Sequence, residues 1–119
     1  MNIPQKCNNP VNIMIAQPVG EATAVFKPRD GMTIGYAEFP TPPAGWRAAH
    51  RQIEADQERG LTVSQFIGKF APSNENNTSA YLAFVCKELH CTPSTALSAL
   101  SKYALAGVMA AEEGYYAIS

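Results

Sequence analysis

The sequence predicts a mainly helical α+β domain with a small β-hairpin at its front, and three observations predict it. Helix-start signals follow one another from Thr41 onward. A polar first third carries short β-branched and aromatic runs split by Pro and Gly, and the 119 residues are 46% apolar with only 16% charged. That balance fits one domain over residues 1–119, with a β/loop region at 1–40 and a helical region at 41–114. A chain of this length buries roughly two thirds of its unfolded surface, which suffices for one core without disulfides or metal.

Val11 to Ala16, Ala22 to Lys27 and Met32 to Phe39 read as short strands. Asp30-Gly31 between the last two is a hairpin turn signal. Thr41 followed by Pro42 is an N-cap with proline at the first helical position, and Trp46, Ala49, His50 and Ile53 then share one face of a helix running to about Arg59, ended by Gly60. Thr62 with Gln65 forms a capping box for a short helix that buries Val63, Phe66, Ile67 and Phe70 and stops at Pro72. A polar loop, Ser73 to Asn77, leads to a helix from about Thr78 to His90 with Tyr81, Leu82, Val85 and Leu89 inside. Thr92-Pro93 then opens a fourth helix that reaches about Glu113 before Gly114.

Composition excludes several function classes. Nine Lys and Arg stand against ten Asp and Glu, a net charge of −1, so no broad positive field attracts nucleic acid. The longest apolar run, Tyr103 to Ala111, is far shorter than the roughly 18 to 20 residues a membrane span needs, and no transmembrane segment is expected. The N-terminus lacks the pattern of a signal peptide. Three cysteines, Cys7, Cys86 and Cys91, cannot pair completely and fit synthesis in a reducing compartment. Cys86, His90 and Cys91 lack the paired spacing of a zinc site, so neither metal nor cofactor is expected.

The last helix carries the most chemistry. Leu97, Leu100, Ala104, Leu105 and Val108 recur at helical spacing, and four further residues bring the stripe to Glu112. A carboxyl among apolar neighbours has its charged form disfavoured and its pKa raised, as a general acid near neutral pH requires. Glu113 is expected to be wetter, against Ala106 and Ala110. Arg47 and Arg51 with Glu54 and Glu58 read as a solvated helix side. His50 and His90 sit on or near apolar helix faces, and no nucleophile, phosphate-binding loop or HExxH pattern accompanies them.

Asn8-Asn9-Pro10-Val11-Asn12-Ile13 resembles the "NNPGNI" opening of phage and prophage proteins related to lysozyme-like, virion-associated lytic transglycosylases. The resemblance extends through Phe39-Pro40-Thr41-Pro42-Pro43-Ala44-Gly45-Trp46-Arg47-Ala48 and Gly60-Leu61-Thr62-Val63. It is strongest from Phe70 to Tyr81, similar to "W-A-P-x-x-E-N-x-T-x-x-Y", and ends on Ala111-Glu112-Glu113-Gly114, similar to "H-E-N-G". This chain has Val11, Phe70 and Ala111 where those patterns have Gly, Trp and His.

The resemblance implies a lysozyme-like fold, circularly rearranged relative to soluble lytic transglycosylases, in which the helix bearing the acid comes first rather than last. It implies a muralytic enzyme, a lytic transglycosylase or lysozyme, that cleaves the bond between N-acetylmuramic acid and N-acetylglucosamine in peptidoglycan. Glu112 would be its acid and base, oriented by Tyr81, and one carboxylate can serve both steps of anhydro-ring closure. Glu75 would be a second carboxylate if the product is hydrolysed. Asn9, Asn12, Asn74, Asn76 and Asn77 would contact sugar hydroxyls and N-acetyl groups, although loop asparagines also cap helices and build turns. Glycan strands, and other virion proteins, would be the partners. Made in the host cytoplasm, the protein would act in the periplasm or cell wall, or as part of the particle. The alternative is a non-catalytic phage structural or accessory protein that keeps the fold.

Overall fold

The structure is a computed structural model and describes residues 1–72 and 77–118. Among these residues five helices and three short strands make a mixed, mainly helical α+β unit. The expected strand runs shrink to β1 (Met14–Ile15), β2 (Ala24–Phe26) and β3 (Gly35–Glu38), antiparallel in the order β1-β3-β2. β2 and β3 form the hairpin that Asp30-Gly31 signals, with Phe26 opposite Tyr36 and Gly31 at φ +83°. Tyr36 also faces Met14, which adds the third strand.

One element goes beyond the sequence expectation. α1 (Ile3–Lys6) is a single turn with Asn2 and Gln5 in a reciprocal capping box and Pro4 in the first turn. After it the chain bends at Asn8 and Asn12, whose φ values are +50° and +60°. Short polar side chains tolerate this left-handed region better than β-branched ones. Val11 stays out of it and is buried in the core.

α2 (Pro42–Glu58) begins where expected, with the Thr41 hydroxyl accepting from the Ala44 N–H. Gly45 lets α2 meet the N-terminal segment, because a Cβ there would lie 1.8 Å from the Asn8 carbonyl oxygen. α3 (Val63–Phe70) carries the Thr62–Gln65 capping box and buries Val63, Phe66 and Ile67. α4 (Thr78–Leu89) buries Tyr81 and Val85 and closes at His90 in the left-handed conformation.

The fourth expected helix starts nine residues late. α5 (Lys102–Glu112) is capped by Ser101, and residues 92–101 are turns with a 3-10 segment at Leu97–Ala99. The reason is a demand from another helix. The first amides of α3 have no partners within their own helix, and Val63 and Ser64 donate instead to the carbonyls of Thr95 and Pro93, both at 2.9 Å. Gln57 takes the Leu97 and Leu100 carbonyls as well, at 3.2 and 2.9 Å. A helix over these residues would withdraw several of those acceptors. The core is formed by Ile53, Phe66, Ile67, Val85, Leu97, Leu105 and Met109, contributed by α2 to α5 and the 3-10 turn. No helix among the described residues is long and apolar enough to cross a membrane.

Candidate functional site

Moving the start of α5 changes which acid faces inward. Leu97 and Leu100, which set the stripe leading to Glu112, lie before the helix. Its own buried residues are Leu105, Ala106, Met109 and Ala110. Four residues after Met109 comes Glu113, not Glu112. Accordingly Glu112 is exposed, and the expectation that it lies on the apolar face is corrected; Glu113 is the half-buried one.

Glu113 is the C-cap of α5, and Gly114 turns the chain away at φ +85°. The N-terminal segment holds this turn in place. Asn2 donates to the Gly114 carbonyl at 2.6 Å, and Gln5 donates to those of Tyr115 and Ala117 at 3.0 and 2.7 Å. Asn12 then reaches across from its left-handed bend to donate to Glu113 Oε1 at 3.3 Å.

Burial pushes the Glu113 carboxyl above its ordinary value of 4.5, and the neighbouring Glu112 charge adds to this, while Tyr81 and Asn12 pull it partly back. Tyr81 is raised well above its ordinary value of 10.0, mainly by burial and then by the Glu113 charge, so it remains a neutral hydroxyl. The two groups are close enough to influence each other's ionisation. Even so, Tyr81 Oη and Asn12 Oδ1 are buried without a partner at hydrogen-bond geometry among the described residues. Two polar atoms beside a perturbed acid therefore have unused capacity.

Glu113 and Asn12 line an open cleft of about 560 Å³. Its other walls include Tyr36 of β3, Arg29 of the hairpin turn, Gln52 and Asp56 of α2, and Lys69 and Phe70 of α3. Asp56 is the acid that sequence reasoning missed. Its side chain is fully buried, with Lys69 Nζ at 2.7 and 2.9 Å, Arg59 at 3.1 Å and Gln52 at 3.2 Å. The signal was present in the sequence, since Ala49, Ile53 and Asp56 follow one another at steps of four and three on the buried face of α2.

The other expected site residues divide. Tyr81 and Asn12 come together with Glu113. Asn9 does not belong to a ligand surface: it is completely buried, donating to the Ile13 and Ala37 carbonyls and accepting from the Ile13 amide, all at 2.9 Å. Its amide takes the place of a backbone ladder between the N-terminal bend and β3. Asn77 caps α4, with Oδ1 accepting from Ala80 at 3.1 Å, so its acceptor is already occupied. Asn74, Glu75 and Asn76 lie outside the described residues.

His50 packs in an aromatic group, 6.1 Å from Trp46 and 4.7 Å from Tyr103 between ring centroids, and burial lowers its pKa. Arg47 and Arg51 are exposed, as expected, and both reach Glu21, at 2.7 and 3.0 Å. Among the described residues no three His, Cys, Asp or Glu side chains converge as metal ligands would. No protein-family model and no curated protein matches this chain.

Proposed function

We propose that the protein is a peptidoglycan-cleaving enzyme of the lytic transglycosylase kind, with Glu113 as its single acid and base. The observation that carries this reading is a half-buried carboxyl with a raised pKa on the wall of an open cleft, beside a neutral buried hydroxyl and an amide with spare capacity. The motif resemblance supplies the substrate class. A lysozyme-like arrangement, circularly rearranged so that the acid-bearing helix comes last, is part of the same proposal.

In this mechanism protonated Glu113 donates to the oxygen of the bond between N-acetylmuramic acid and N-acetylglucosamine. The carboxylate left behind takes the proton from the muramoyl 6-hydroxyl, whose oxygen closes the 1,6-anhydro ring. Tyr81, held neutral, and Asn12 orient the carboxyl between these steps. Asp56 is a poor second carboxylate, because Lys69, Arg59 and Gln52 already occupy its oxygens. Of the two described acids that line the cleft, Glu113 alone is not paired with a cation, and a single working acid suits anhydro-ring closure rather than the two-carboxylate hydrolysis of ordinary glycosidases.

The test is incubation of the wild type, Glu112→Gln and Glu113→Gln with isolated peptidoglycan, reading products by mass spectrometry. Wild type and E112Q should release 1,6-anhydromuropeptides, and E113Q should lose on the order of 10²- to 10⁴-fold in rate. Products undiminished in E113Q would overturn the assignment. No products from any of the three would favour a non-catalytic phage structural role, and reducing-end products would point to a lysozyme with a second carboxylate.

A further inference from the structure

The C-terminus of α4 brings two cysteines into a geometry the proposed function does not use. His90 adopts φ 52° and ψ 48°, and the Cys91 N–H donates back to the Cys86 carbonyl at 3.0 Å. The His90 N–H donates to the same carbonyl, and the six-residue closure by Cys91 is the outer bond of a Schellman turn. In that motif the residue after the left-handed position and the residue five before it are the pair whose side chains meet. Apolar residues usually fill both places, and here both are cysteine. Cys86 and Cys91 are half-buried, carry free thiols and pack against the same core cluster. The remaining cysteine, Cys7, is 1% exposed and belongs to the N-terminal segment.

We propose that Cys86 and Cys91 are a redox pair that closes into a reversible intramolecular disulfide when the protein meets a small-molecule disulfide such as oxidised glutathione. One thiolate attacks the glutathione disulfide, forms a mixed disulfide and releases one glutathione thiol. The second protein thiolate then attacks the protein sulfur of that mixed disulfide and releases the other. One S–S bond is made for the one broken. The two electrons reduce glutathione disulfide, and the two thiol protons end on the two glutathione molecules.

Burial and the contact with Cys91 both raise the Cys86 thiol, which slows exchange at neutral pH and quickens it as pH rises. The closed bond would tie the last turn of α4 to the segment whose Pro93 and Thr95 carbonyls receive the amides of α3. Oxidation would therefore tighten the junction of α3, α4 and the chain entering α5. This inference stands on the turn alone and is independent of the enzymatic reading.

The experiment equilibrates the folded wild type in glutathione buffers from reduced to oxidised, then alkylates, digests with trypsin and maps masses. Lys87 lies between the two cysteines, so a Cys86–Cys91 bond joins two tryptic peptides. Expected are that cross-linked pair, an alkylated Cys7, no bound glutathione, and a melting temperature higher by roughly 5 °C than that of the reduced protein. Cys86→Ser and Cys91→Ser should each stop at a single glutathione adduct. Wild type that keeps both thiols in fully oxidised buffer, holds glutathione on either, or joins either to Cys7 would overturn the proposal. So would an internal disulfide in either serine variant.

Discussion

Asp56 and Glu113 line the same cleft and come from adjoining helices, yet their surroundings differ in kind. Asp56 is fully buried and receives Lys69, Arg59 and Gln52. Glu113 is half-buried, receives an amide from Asn12 and faces a second acid, Glu112, with no cation bonded to it among the described residues. A buried charge is tolerated when it is paired, and is otherwise driven toward its neutral form. Deeper burial does not make Asp56 the chemical group, because charge compensation turns it into a fastener between α2 and α3. Glu113 keeps the uncompensated proton affinity that acid chemistry uses.

The largest effect should come from breaking the fastener. Asp56→Ala should destabilise the fold by about 3 kcal/mol in urea denaturation, because Lys69 of α3 loses the buried carboxylate that ties it to α2, and Arg59 loses the same partner at the end of α2. That is the low end for a broken buried pair, since Lys69 and Arg59 retain access to water. A loss well under 1 kcal/mol would mean that Asp56 does not carry the α2–α3 junction.

Glu113→Gln should act in the opposite direction. A carboxyl whose folded-state pKa is raised contributes stability that is complete below its unfolded pKa and is lost as pH rises through the folded one. The glutamine variant has no such loss. Its melting temperature should match the wild type near pH 4 and exceed it at pH 7, because burial raises the Glu113 pKa in the folded state. A pH-independent difference would remove Glu113 from the class of perturbed acids.

Smaller again is Tyr81→Phe. It deletes a buried hydroxyl that has no partner at hydrogen-bond geometry among the described residues, so stability should change by less than about 1 kcal/mol. The Glu113 pKa should rise further, since Tyr81 opposes its elevation. A large destabilisation would show that the hydroxyl is bonded after all.

The smallest effect belongs to an exposed acid that calibrates the other two. Glu21 is held down to about 2 by its hydrogen bonds to Arg47 and Arg51. Its contribution is present above the ordinary carboxylate value and fades as pH falls toward about 2, and salt should screen it. Glu21→Gln should therefore lower the melting temperature slightly at pH 7 in dilute buffer and not in concentrated salt.

Much of this fold was legible because caps and breakers are local. Thr41-Pro42, Thr62 with Gln65, and Asp30-Gly31 each act within a few residues, and α2, α3 and the hairpin follow them. Thr92-Pro93 misled for a long-range reason: the carbonyls after it serve amides of α3 some thirty residues earlier in the chain. The displaced start of α5 exchanged Glu112 for Glu113, and a one-residue change of phase is all that separates them. Asn9 read as a surface group within a motif, but its amide bridges Ile13 and Ala37 in the interior. Asp56 lay in phase with Ala49 and Ile53, while its partners Lys69 and Arg59 lie on another helix and past a helix end, where periodicity has no reach.

The most direct test is a site-resolved titration of the side-chain carboxyls by NMR, with E112Q and E113Q used for assignment. Glu113 should titrate clearly above 4.5, with Tyr81→Phe moving it higher and E112Q moving it lower. A Glu113 midpoint at or below 4.5, or one indifferent to both substitutions, would contradict the assignment of Glu113 as the cleft's acid.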